Sequence, residues 1–171
     1  MNRKWIAIAS FTVIGTVQAQ NPLSSDSKFF YGIIKGFVTK AAEKMPEQNY
    51  SFKPTPEVRS FGEIIGHIAD DQFGFCGVVK GEKKESNISG TVTSKAELVA
   101  QLKQAISYCD SVYDSMTDAV ATQTVKAMGG QRTKLSILDF NTGHTYEHYG
   151  NIVTYMRLKR LVPPSSEKPG N

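Results

Sequence analysis

The sequence predicts an all-α fold, a four-helix bundle with a crossover connection between its second and third helices. Three observations support it. Four stretches carry apolar residues at three-and-four spacing, helix start and stop signals bracket them, and a long polar segment separates the second from the third. There is no convincing strand set and no internal repeat. At 171 residues, 40% of them hydrophobic and 21% charged, the chain suits one domain with one continuous core.

The N-terminal segment precedes the bundle. Arg3 and Lys4 are followed by an apolar run from Trp5 to Val17 and then by Val17-Gln18-Ala19, the three-part layout of a secretory signal peptide over residues 1–19. Cleavage after Ala19 leaves residues 20–171 as the mature domain. The run is shorter than the ~20 residues that span a bilayer, so the expectation is export to the periplasm or beyond, without stable membrane insertion.

The first helix is read from Phe29, Phe30, Ile33, Ile34, Phe37, Val38, Ala41 and Met45, with Ser24, Ser25 and Asp26 as candidate N-caps and Pro46 as its stop. Glu47 to Thr55 is a proline-bearing loop whose Tyr50 and Phe52 should pack on the bundle. The second helix starts at Thr55-Pro56-Glu57 or at Ser60 and ends near Gly81. Its apolar face is Phe61, Ile64, Ile65, Ile68, Phe75 and Val79, with His67 at the edge. Gly62, Gly66, Gly74 and Gly77 are unfavourable in a helix and point to closely packed neighbours. Glu82 to Thr93 is polar and reads as the crossing loop.

Ser94-Lys95-Ala96-Glu97 matches a capping box that opens the third helix. Its seam is Leu98, Leu102, Ala105, Cys109, Val112 and Met116. The pattern weakens from Thr117 to Lys134, where Gly129-Gly130 marks a turn and Thr124, Val125 and Thr133 suit a small hairpin or an irregular excursion. The fourth helix, Leu135 to Leu161, places Ile137, Asn141, His144, His148, Ile152 and Tyr155 on one inward stripe. Pro163-Pro164 ends it, and the tail from Ser165 to Asn171 is expected to be mobile.

The formal charge is +4 and falls to +2 once Arg3 and Lys4 are set aside. So small an excess argues against nucleic acid as a partner, because phosphate binding needs a concentrated basic face. Cys76 and Cys109 are the only cysteines. An oxidising compartment permits them to pair, and two buried core thiols are the alternative. Neither belongs to a CxxC pair, so sulfur chemistry has little support.

His67, His144 and His148 are the only histidines. His144 and His148 are four apart and project from one helix face, a weak signal alone. His67 lies on another helix beside apolar positions, and bundles build metal sites from inward side chains of facing helices. The expectation is one divalent ion, zinc or nickel, held by three neutral imidazoles with a position left for water or substrate. Gly66 and Gly143 each precede a ligand and would let the helix backbones approach, unless they only serve generic packing. Asp70 and Asp71 follow His67 by three and four residues. Asp71 is the chosen candidate to orient a ligand imidazole or to act as general base. Glu147, adjacent to His148, is rotated away around the helix. Tyr146, Tyr149 and Tyr155 line a cavity or simply pack.

The run from Pro54 to His67 (PTPEVRSFGEIIGH), the run from His144 to Asn151 (HTYEHYGN) and the closing Val162-Pro163-Pro164 resemble the DinB-like (YfiT-like) metalloenzyme family. The resemblance covers nearly all of the mature chain. It implies a four-helix bundle with a divalent metal site of three histidines, one on the second helix and an HxxxH pair on the fourth, which here are His67, His144 and His148. A frequent family form follows the last histidine with Arg-Gly-Gln, whereas Tyr149-Gly150-Asn151 stands here. Some relatives are metal-dependent hydrolases and others transferases that use low-molecular-weight thiols. Export disfavours thiol transfer, because reduced cosubstrates belong to the cytosol. The expected function is therefore a hydrolase-type enzyme acting on a small molecule through metal-bound water. The alternatives are a non-catalytic metal- or ligand-binding bundle with a helix-packed homodimer as a candidate assembly, a thiol S-transferase relative, and a metal-free structural bundle.

Overall fold

The computed structural model describes residues 21–168. The proposed signal peptide and the last three residues of the tail lie outside them. The described residues form helices α1 (Pro22–Lys44), α2 (Phe61–Lys80), α3 (Ile88–Thr91), α4 (Lys95–Ser115), α5 (Asp118–Ala121) and α6 (Lys134–Leu158), with strands β1 (Thr124–Ala127) and β2 (Gly130–Thr133) before α6. None of these helices is long and apolar enough to cross a membrane.

Pair contacts give the helix directions. Ser27 Oγ donates to Asp139 and the Phe37 ring stacks on Tyr149, so α1 and α6 run parallel. Lys28 pairs with Asp114 and Lys103 with Glu43, so α1 and α4 are antiparallel. Gly62 packs against Leu98, and Cys76 is bridged to Cys109, which makes α2 and α4 parallel. The Tyr155 hydroxyl donates to the Arg59 carbonyl while Gln72 meets Asn141, which makes α2 and α6 antiparallel. The bundle is thus up-down-down-up, and the segment between α2 and α4 runs back along the whole of α2. This is the crossover the polar segment from Glu82 predicts. α3, within that segment, seats Ile88 in the core at 7% exposure.

Ser60 starts α2 through a complete capping box: its hydroxyl accepts from the Glu63 amide, and the Glu63 carboxylate accepts from the Ser60 amide. Thr55-Pro56 starts no helix. Ser94 Oγ accepts from the Glu97 amide, but the Glu97 carboxylate takes the Ser94 hydroxyl rather than its amide. The expected seams of α4 and α6 are buried at every position except His144, which is partly exposed. The hairpin forms, turning at Met128 and Gly129, both with positive φ.

Three expectations are corrected. First, α1 begins at Pro22, and Ser24 and Ser27 lie inside its buried face with Tyr31, Ile34, Val38, Ala41 and Ala42, while Phe29 and Phe30 are 63% and 54% exposed. The two serines turn inward because Asp118 and Asp139 accept their hydroxyls, and this sets the helix rotation. Second, the tail is tied to the bundle: the Ser165 amide donates to the Tyr149 hydroxyl and Lys44 pairs with Glu167. Third, neither Gly66 nor Gly143 brings α2 and α6 together. A side chain at Gly66 would meet Ser89 Cα of α3 at 2.7 Å, while the space at Gly143 is open.

Cys76 and Cys109 are fully buried and form a disulfide with Cα atoms 5.4 Å apart. Closing the link between two parallel helices, it restrains the crossover at its far end.

Candidate metal centre

The site lies where α2 crosses α6, and a buried amide pair sets the register. Asn141 Nδ2 donates to Gln72 Oε1, and Gln72 Nε2 donates to Asn141 Oδ1, each at 3.1 Å. Gln72 Nε2 also donates to Thr145 Oγ1, whose hydroxyl donates to the Asn141 carbonyl. Both amides are at most 1% exposed. Sliding α2 past α6 would strand them in a dry core, at about 1–3 kcal/mol for each unsatisfied group.

With that register, positions 67 and 71 of α2 meet positions 144 and 148 of α6. One ligand atom from each of His67, Asp71, His144 and His148 falls within 4.8 Å of the others. Asp71 Oδ2 is 3.2 Å from both His67 Nε2 and His144 Nδ1, and His144 Nε2 faces His148 Nε2 at 3.0 Å. Despite its proximity to two rings, Asp71 Oδ2 makes no hydrogen bond among the described residues, and His148 Nδ1 also has no hydrogen-bond partner. Both atoms are buried. A carboxylate oxygen buried without a hydrogen bond beside three imidazoles is the arrangement a shared cation resolves.

The charge states fit a cation. Burial lowers the His148 pKa to about 4, helped by His144, His67 and Arg59. Burial likewise lowers that of His67, with Arg59 and His144 adding to it. Burial raises the Asp71 carboxyl to about 6, with His144 and Arg59 opposing the rise. Near neutral pH, then, His67 and His148 offer lone pairs and Asp71 a negative charge.

The structure brings together all three predicted histidines and Asp71. Asp70 points elsewhere: it accepts from the Ile88 and Ser89 amides and the Ser89 hydroxyl, so it holds α3 rather than the site. Burial alone would raise its pKa, but those hydrogen bonds hold it below the usual carboxylate range. Tyr149 is core, Tyr146 is exposed, and Tyr155 lines a cleft of about 580 Å³ beside His148. Arg59, Glu147 and Asn151 line the same cleft. Glu147 is exposed and is not among the residues whose ligand atoms converge, yet it lines the same cleft as His148. A second cleft opens beside Asp71. Sequence reasoning missed Arg59 as a site residue and, in the second cleft, Val78, Ala127 and Met128. Arg59 precedes an N-cap and carries no periodic signal, so only the fold could bring it to the site.

The model of the DinB superfamily matches residues 38–152. No curated protein matches the chain. Among solved structures it is similar to a DinB-like protein from Bacillus cereus ATCC 10987, at 17% identity and a TM-score of 0.68, over 82% of this chain and 93% of that one. A DinB-like protein (YjoA) from Bacillus subtilis is similar at 20% identity and a TM-score of 0.67, over 87% and 100%. A mutant of the mycothiol-dependent maleylpyruvate isomerase is similar at 10% identity and a TM-score of 0.64, over 75% of this chain and 60% of that chain. At these identities the likenesses establish the fold alone. The family match covers more than half of the chain and contains His67, Asp71, His144 and His148, and the chain belongs to the DinB superfamily.

Proposed function

We propose that the protein is a metal-dependent hydrolase-type enzyme in which His67, His144 and His148 hold one divalent ion, zinc or nickel. The observation that carries this reading is the convergence of four ligand atoms within 4.8 Å, two of the four residues contributing buried atoms that lack hydrogen bonds. Three imidazoles suit a borderline ion and leave coordination open. When bound, the ion supplies Lewis acidity to a substrate oxygen.

The chain's own residues do the rest. His144 presents Nε2 toward His148 while its Nδ1 faces Asp71 at 3.2 Å, which stands the carboxylate where an outer partner of a ligand histidine belongs. Asp71 also stands where a proton released by water can be taken up. The two clefts give a small substrate access, with Asp71 bordering one and His148 the other.

The test is turnover of an ester, amide and lactam panel by protein purified without a histidine tag, then stripped by chelator and reloaded. Activity should vanish on stripping and return with zinc or nickel. Asp71→Asn should keep the ion and lose turnover. Bound metal with no turnover across the panel would make the protein a binding module instead.

We also propose export. The Cys76–Cys109 bridge supports this, since structural disulfides persist in oxidising compartments. N-terminal sequencing of secreted protein should read from Gln20; retention of the first 19 residues would refute it.

A further inference from the structure

The cleft beside Asp71 has a volume of about 390 Å³ and extends along α2 toward its C-terminal end. Phe75 and Val78 of α2, Ile137 of α6 and Met128 of the hairpin turn wall it, and Asp70 and Asp71 also line it. The apolar wall continues to the histidines: Phe75 lies 5.3 Å from Phe140 between ring centroids, and Phe140 stacks on His144 at 5.7 Å.

Met128 is 51% exposed and adopts a φ of 49°. Asparagine, aspartate and glycine are the residues that tolerate this conformation. A methionine there stabilises neither the turn nor the core, and its side chain instead borders the cleft. Such an outlier beside a site points to function.

An apolar cavity of about 150 Å³ accepts a benzene ring, so one ring or a short alkyl chain fits. No cationic side chain lines this cleft. Asp70 is engaged by α3, and Asp71 faces the histidines, so an anionic group entering here would meet no partner and two acids. In the other direction along α2, toward its N-terminus, the cleft is mixed: Arg59, Asn151, Glu57 and Glu147 line it beside Val58 and Ile64. From this juxtaposition we infer that the substrate is a small amphipathic molecule. Its neutral alkyl or aryl group occupies the cleft walled by Phe75, Val78 and Met128, its polar part lies toward Arg59 and Asn151, and its reacting group lies between them at the histidine cluster. The identity of the reacting group rests on the hydrolase reading; the selectivity of the apolar cleft is read out separately.

The experiment is NMR titration of the disulfide-intact protein, with and without zinc, using benzyl alcohol and 1-hexanol against benzoate and hexanoate. The alcohols should shift the amides of residues 74–78 and 127–128 saturably, with affinity at least about tenfold above that of the carboxylates. Met128→Asn, which suits the turn, should weaken the alcohols about fivefold, and Val78→Asp should abolish the shifts. Equal affinity for the carboxylates, no change in Met128→Asn, or shifts confined to the exposed Phe29 and Phe30 would overturn the proposal. Alcohol binding as expected with no turnover of any ester or amide would instead overturn the hydrolase reading and leave the cleft standing.

Discussion

Replacing Asn141 by leucine removes one half of the amide pair that registers α2 against α6. The substitution keeps the branched shape and the heavy-atom count, leucine being somewhat bulkier, so its cost is chiefly polar. Two reciprocal hydrogen bonds at 3.1 Å are lost, each worth about 1 kcal/mol net, and Gln72 Oε1 is left buried without a donor at about 1–3 kcal/mol. The sum is about 3–5 kcal/mol, a large share of the roughly 5–15 kcal/mol that keeps a domain folded. Gln72→Met strands Asn141 in the same way, leaving its Nδ2 only the Cys109 sulfur at 3.8 Å. The double variant strands nothing of the pair and should lie within about 1 kcal/mol of wild type, because removing both partners of a buried pair is nearly neutral. Urea unfolding of the four proteins, followed by circular dichroism with the disulfide intact, gives the coupling directly. A coupling of at least about 2 kcal/mol is expected; additivity within about 0.5 kcal/mol would refute the pair's role.

Other outcomes follow from the same geometry. Replacing both Cys76 and Cys109 by alanine opens a link across 33 residues and should cost about 3–4 kcal/mol, read as a lower urea midpoint insensitive to reductant. Gly66→Ala would force a Cβ to 2.7 Å from Ser89 Cα and should destabilise by about 1–3 kcal/mol, whereas Gly143→Ala, in open space, should stabilise by about 0.5–1 kcal/mol; thermal melts separate the two. In metal-free protein, the raised Asp71 pKa contributes stability that is fully present below the unfolded value near 4 and is lost as pH rises through about 6. Asp71→Asn should therefore gain over wild type above pH 6 and show no gain below about 4. His148 acts in the opposite sense, its contribution present above the unfolded value near 6.5 and lost as pH falls toward 4. A pH series of urea midpoints for wild type and Asp71→Asn isolates the two legs.

Much of this was legible in the sequence because periodicity and burial coincide where packing decides the face. The α4 seam is apolar on the inside and mostly charged or polar on the outside, and the α6 stripe carries Ile137, Ile152 and Tyr155 around Asn141, His144 and His148, so spacing located both. The crossover was legible because a polar segment too long for a tight turn must travel. Helix α1 was misread at its start because its inward serines are satisfied by Asp118 and Asp139, some hundred residues away, and no local pattern encodes such partners. Phe29 and Phe30 then drew the apolar face to the wrong side. At the site, spacing found the three histidines and Asp71, but it could not tell Asp70 from Asp71. One helical step divides them, and only the position of α3 turns Asp70 away. The amide pair was half visible: Asn141 lay on the inward stripe, while Gln72 gave no signal until α6 was in place.

The central claim is that His67, His144 and His148 hold one divalent ion. Elemental analysis of the mature protein, purified without a histidine tag, measures this most directly when set beside His67→Ala and His144→Ala variants of verified fold. The account predicts about one zinc or nickel ion per chain in the wild type and a loss of at least about ten-fold in each variant. Folded wild type that stays substoichiometric after incubation with either metal, or variants that retain the full complement, would contradict it.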